Sequence, residues 1–191
     1  MSTSKLFKKI KSLKKEKAIL FVGIDGCGGV GKTTLAENIQ KKFKDVSVVH
    51  MDNFDLPFAD RVKGQPHEKP VGADTDWARL EREVILPLKN NQSVKFQKYS
   101  WDKDRMLDWE SIKPAGIIIV EGVYSLRIEL RDHFDLKIWI DCPLDVRLKR
   151  GLERDGEDKK DRWLKDWLPM EERYMALHHP EKIADIKLIT G

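Results

Sequence analysis

The sequence predicts one α/β domain built on a mostly parallel five-stranded sheet with helices on both faces. Three observations predict it. Apolar runs of strand length alternate with amphipathic stretches of helix length, the pattern of parallel strands joined by helical crossovers. Those runs are apolar almost throughout, as strands covered on both faces require. The first of them ends in glycines that open onto a helix, a join that parallel α/β sheets use to hold ligands.

The elements follow in order. Leu6, Phe7, Ile10 and Leu13 recur at helical spacing among lysines. They predict an amphipathic helix within 1–17 that lies on the domain with its lysines in water. A membrane-surface role is the competing reading, disfavoured because one short apolar stripe anchors weakly. Residues 18–24 read as a buried strand and 32–43 as a helix with Leu35, Ala36 and Ile39 turned inward. Residues 46–50 read as a second strand. Trp77, Leu80, Val84, Ile85 and Leu88 mark a third helix, and 94–99 one strand of a small hairpin. Residues 117–120 and 136–140 are further strands. Pro143 suits the first turn of a helix, and 163–177 reads as a long helix that Pro169 interrupts or bends. Residues 184–189 close the sheet. The stretch 57–76, rich in Pro, Gly and charge, is long for a connection, which makes it mobile or functional.

Composition bounds the function. Across 191 residues, 40% are hydrophobic and 36% charged, a globular profile that needs no second domain. The expectation is therefore a single domain over 1–191, with an insert at 57–114 and a lid at 143–165. No apolar run is long enough to cross a bilayer, and no N-terminal stretch resembles a signal peptide. Cys27 and Cys142 stand in no paired motif, which disfavours disulfides and zinc and favours a reducing, cytoplasmic setting. The net charge of +4 is too small to argue for nucleic acid. No membrane partner is expected, and self-association stays open.

The strongest motif is Gly26-Cys27-Gly28-Gly29-Val30-Gly31-Lys32-Thr33, which fits G-x-x-x-x-G-K-[ST] between a strand and a helix. Glycines let backbone amides wrap a polyphosphate, and the helix beginning near Lys32 points its positive end at the same anion. Lys32 would reach the terminal phosphates of ATP and the Thr33 hydroxyl would ligate Mg²⁺, with Thr34 closing the segment. The fold expectation sharpens to the P-loop NTPase three-layer sandwich with a lid helix.

Acidic residues at the carboxyl ends of strands come next, because ligands lie there. Asp52 follows the second strand and would either take a proton from an attacking hydroxyl or hold Mg²⁺ through water. Glu121 ends the strand 117–120 and suits the carboxylate beside Mg²⁺. Gly122 follows it where motor ATPases place a second acid, and no guanine-reading [NT]-K-x-D segment is present. Arg147, Arg150 and Arg154 are spaced to share one helical face, where guanidinium groups would stabilise a transferring phosphoryl group. Gly151 and Asp155-Gly156 suggest a flexible element that closes over ATP.

The ordered set G-x-D-G-C-G-G-V-G-K-T-T, M-D-N-F, I-V-E-G-V-Y, F-D-L-K-I-W-I-D and D-V-R-L-K-R-G-L-E-R-D resembles the uridine kinase family. That family is grouped with phosphoribulokinase and bacterial pantothenate kinase. The resemblance runs from about Ile19 to Ile189 and is weakest between Pro57 and Pro114. It implies that Asp52 is the base on an acceptor hydroxyl and that Glu121 sits by Mg²⁺. It implies that Arg147, Arg150 and Arg154 touch phosphates from a lid helix. It also implies that a hairpin over 95–109 closes on the acceptor with Tyr99 against a base, and that Asp76, or its rival Asp74, is an acceptor-site carboxylate. Phe54 and Arg105 complete the expected acceptor contacts. The chain departs from the family between Ser100 and Arg105, where uridine kinases usually carry a histidine. The implied activity is ATP-dependent phosphorylation of a small hydroxyl compound such as uridine or cytidine. A kinase for another alcohol, pantothenate-like or a ribose derivative, is the alternative. A nucleotide-binding switch is the competing class, and the Asp52–Tyr99 pair is what a switch would not need.

Overall fold

The computed structural model describes residues 3–191. Seven strands and six helices follow in chain order: α1 (Thr3–Glu16), β1 (Ile19–Asp25), α2 (Lys32–Lys42), β2 (Val46–His50), α3 (residues 77–89), β3 (Val94–Ser100), β4 (Arg105–Ile112), β5 (Gly116–Glu121), β6 (Leu136–Asp141), α4 (Leu144–Asp155), α5 (residues 160–178), α6 (Pro180–Ile183) and β7 (Ile186–Ile189). The main sheet has the order β2-β5-β1-β6-β7, with every neighbouring pair parallel. β3 and β4 form a separate antiparallel hairpin. The chain thus has the expected α/β three-layer fold.

Alternation along the strands builds two cores, one on each face of the sheet. Leu20, Val22, Ile24, Ile117 and Ile119 join α1 and α2 on one side. Phe21, Val49, Ile118 and Val120 join α3 and the hairpin on the other. Gly23 sits where β1 is crossed closely: a Cβ there would lie 2.6 Å from Leu126 and 2.8 Å from Phe134. α1 buries Leu6 and Ile10 completely, so the amphipathic helix lies on the domain as expected. The first two residues of its expected span lie outside the described residues.

Two long helices depart from expectation. Pro169 does not interrupt 163–177. The helix α5 runs through it because Trp163–Trp167 forms a π-turn immediately before. Pro87 is handled alike, two residues after the π-turn Glu81–Ile85 in α3. A π-turn widens the backbone by one residue, which makes room for a proline ring and removes the demand for its missing N–H. The other departure is Gly151, expected with Asp155-Gly156 as part of a flexible element. It lies inside α4 and is buried against Trp163, 2.2 Å from where its Cβ would stand. It is a packing glycine. The stretch 57–76 is pinned at its base by a bridge between Asp55 and Thr75 and by the bonds Leu56 N to Asp74 O (2.8 Å) and Asp76 N to Phe54 O (2.7 Å).

Candidate active site

The parallel register delivers the polar residues to one edge. Asp25, His50 and Glu121 end β1, β2 and β5, and His50 is the direct pairing partner of Glu121. The loop 26–31 crosses the end of β1 and feeds α2. Its shape demands glycine at particular points. Gly29 has φ +78°, and a Cβ there would stand 2.2 Å from the Arg147 carbonyl oxygen. Gly31 has φ +93° with nothing within 4 Å of a Cβ, so the conformation alone requires glycine. The Lys32 ammonium donates to the carbonyls of Gly26 (2.8 Å) and Cys27 (2.9 Å), which holds it across the loop. Cys27 is a buried free thiol whose pKa burial pushes up to about 12, so it is no nucleophile.

Thr33 donates its hydroxyl to Glu121 Oε1 at 3.1 Å, and the same oxygen lies 2.5 Å from His50 Nδ1. Burial alone would raise the Glu121 pKa. The His50 hydrogen bond, the Lys32 and His50 charges and the Thr33 hydroxyl outweigh it and hold this carboxyl below its usual range. The hydrogen bond to Glu121 in turn raises His50. Sequence reading passed over His50. The available signal was its place as last residue of a strand whose neighbour ends in Glu121.

Asp52 stands in the turn Met51–Phe54 just beyond β2, open to solvent on one side. Burial by the surrounding protein and then the Glu121 charge raise its pKa, against the charges of Lys32, Arg154 and His50. Asp52, Glu121, Thr33, Lys32 and Arg154 therefore share one cluster. A hydroxyl and two carboxylates are hard oxygen donors of the kind Mg²⁺ prefers, and the cluster leaves most positions to phosphate oxygens and water, as that ion favours. Among the described residues no group of three or more His, Cys, Asp or Glu forms a self-sufficient metal cage.

The remaining expected residues are spread around this cluster. The Arg147 guanidinium is buried and ion-paired with Glu171 at 2.6 Å, whereas Arg150 and Arg154 are exposed. The three arginines do not form one solvent face, because α4 packs its Arg147 side against α5. Arg150 reaches Thr190 and the Cys142 sulfur, each at 3.5 Å. Arg154 is held by Asp155 and feels Asp52 and Glu121. Phe54 is fully buried, stacked on Phe96 behind the turn. Asp76 caps α3, accepting from the Arg79 amide at 2.9 Å, and Asp74 pairs with Lys69 at 3.5 Å. Arg105 is exposed at the start of β4. Tyr99 donates its hydroxyl to Asp104 at 2.6 Å. Arg61 stands over the rings of Phe58 (4.5 Å) and Trp101 (4.3 Å) and near that of Tyr99 (5.9 Å), so a guanidinium fills the aromatic cluster at the hairpin tip.

Comparison with known proteins identifies the family. The Phosphoribulokinase / Uridine kinase family matches residues 21–162. A uridine kinase of Chlamydia pneumoniae is 33% identical over 186 residues, covering 88% of this chain and 80% of that protein. A uridine kinase of Staphylococcus aureus is 31% identical over 191 residues, covering 92% of this chain and 89% of that one. A Bacillus stearothermophilus structure described as a "Possible Uridine Kinase" superposes with a TM-score of 0.73 at 23% identity, covering 96% of this chain and 99% of its own. The chain belongs to the phosphoribulokinase/uridine kinase family and is an ATP-dependent phosphotransferase.

Proposed function

We propose that the chain transfers the γ-phosphate of ATP to a hydroxyl of a pyrimidine nucleoside such as uridine or cytidine, with Asp52 as the base. The observation that carries this reading is the place of Asp52, in the turn just beyond β2, beside the Thr33–Glu121 pair and Lys32 at the carboxyl end of the sheet. A carboxylate whose pKa is moved toward neutrality takes a hydroxyl proton more readily than an ordinary aspartate. Lys32 and Arg154 supply positive charge where the transferring group gathers negative charge, and Arg150, on the same helix as Arg154, would turn from Thr190 to the outer phosphates. Thr33 and Glu121 would hold Mg²⁺, with Asp52 meeting it only through water, and the bound ion would neutralise phosphate charge. The nucleoside is favoured because the relatives that cover most of this chain are uridine kinases.

One observation supports a second acceptor class. Arg61 occupies the aromatic cluster, and the hairpin turn has no histidine. A guanidinium there suits an acceptor that carries a carboxylate or phosphate, such as a pantothenate-like or ribose-derived alcohol.

The deciding experiment is ADP release with a panel of nucleosides, pantothenate and ribose derivatives. A nucleoside-dependent signal is expected. Asp52→Asn is expected to retain ATP binding and to lower kcat by roughly 10²–10⁴. Unchanged turnover in that variant would remove Asp52 from the role of base, and acceptor-independent slow hydrolysis by the wild type would favour a switch.

A further inference from the structure

The first half of the phosphate loop is held from outside by one face of α5. Glu171 accepts the Gly28 amide at 2.6 Å, and Tyr174, three residues on, donates its hydroxyl to Asp25 at 2.6 Å. Asp25 in turn accepts the Gly26 amide at 2.6 Å. The spacing of three puts both supports on one side of the helix. Trp163, from the π-turn of the same helix, lies against Gly28 so closely that a Cβ there would be 2.6 Å from its ring. The second oxygen of Glu171 takes Arg147, at 2.6 Å, with both side chains almost wholly buried. Nothing in the G-x-x-x-x-G-K-T motif requires a carboxylate a hundred and forty residues downstream in the chain.

We propose that Glu171 is a positioning residue for nucleotide binding: its carboxylate turns the Gly28 amide outward, so that the amides from Gly29 to Thr33 converge on the phosphates. Arg147 neutralises that carboxylate, so it can stand beside a polyphosphate site without repelling it. The pair links the loop to the lid helix α4, whose Arg147 carbonyl abuts Gly29. The arginine expected to touch phosphate from the sequence acts through the loop instead.

The test separates the amide bond from the ion pair. Replacing Glu171 alone leaves Arg147 buried without a partner and risks misfolding, so two double variants are compared. R147M/E171Q keeps a side-chain oxygen for Gly28, and R147M/E171L removes it. The readouts are Kd for ATP by calorimetry, which needs no acceptor, and hydrogen exchange of the Gly28 amide, with thermal midpoints as the folding control. The glutamine variant is expected to bind ATP within about threefold of the wild type and to protect the amide. The leucine variant is expected to bind about tenfold more weakly, as loss of a strong hydrogen bond implies, with the amide exchanging freely. Equal affinity in the two variants would overturn the proposal. Tighter binding by the leucine variant would overturn it too, by showing that the carboxylate competes with the phosphates.

Discussion

At the scale of single residues, the loop glycines differ in what they guard against. Gly31→Ala meets only an unfavourable conformation, worth about 1–2 kcal/mol. Gly29→Ala adds a collision with the Arg147 carbonyl. Thermal denaturation is expected to rank G29A well below G31A, and equal midpoints would mean that the loop relaxes away from α4. Buried carboxylates set a pH dependence of definite sign. Burial, and then the Asp52 charge, raise Asp55 to about 7, and burial raises Asp25 to about 6. A raised carboxyl pKa means that the native form binds the proton more tightly than the unfolded chain. These contributions are complete below the ordinary aspartate range and decline as pH rises toward about 6 and about 7. In Asp55→Asn, which keeps an oxygen for the Thr75 hydroxyl, the loss of thermal midpoint between pH 5 and pH 8 is expected to shrink. An unchanged loss would show that Asp55 titrates normally. Among the site residues, the motif members were legible because their chemistry is local. The burial of Phe54 was not, since its stacking on Phe96 depends on where the hairpin lies.

At the scale of elements, α4 and α5 form one unit. Trp163 packs on Gly28 and Gly151 and donates its indole N–H to Asp155 at 3.0 Å. Arg147 and Asp155, near opposite ends of α4, are thus both tied to α5. Trp163→Ala removes a side chain that is 1% exposed and is expected to cost about 3–5 kcal/mol. Urea titration measures it, and a loss below 1 kcal/mol would mean that the two helices close over the gap. The same unit explains why Gly151, in a basic helix, reads from sequence as part of a flexible element: without knowing that an indole lies opposite, flexibility is the only visible reason for it. The prolines repeat this lesson. Pro169 reads as an interruption or bend and Pro87 falls inside a helix read straight through it, yet both helices absorb their proline by a π-turn, a change of hydrogen-bond register that packing on both sides of the helix can hold in place.

At the scale of the molecule, the sheet separates support from chemistry. α1 seals one face through Leu6 and Ile10, on the side where α2 ends rather than where the phosphate loop begins. Leu6→Ala together with Ile10→Ala is expected to lower stability by several kcal/mol while Kd for ATP in the folded fraction stays the same. A parallel fall in affinity would mean that α1 also orders the loop. By itself, the sequence determined the α/β class, the strand ends and the phosphate loop, because hydrophobic period, strand-to-helix joins and glycine placement are properties of neighbouring residues. Only the tertiary structure decided that His50 meets Glu121, that Arg147 turns inward to Glu171, and that Arg61 fills the ring cluster beside Tyr99. Each of these pairs residues far apart in the chain, and such a meeting is fixed by the register of parallel strands and the docking of helices, to which no local pattern in the sequence corresponds.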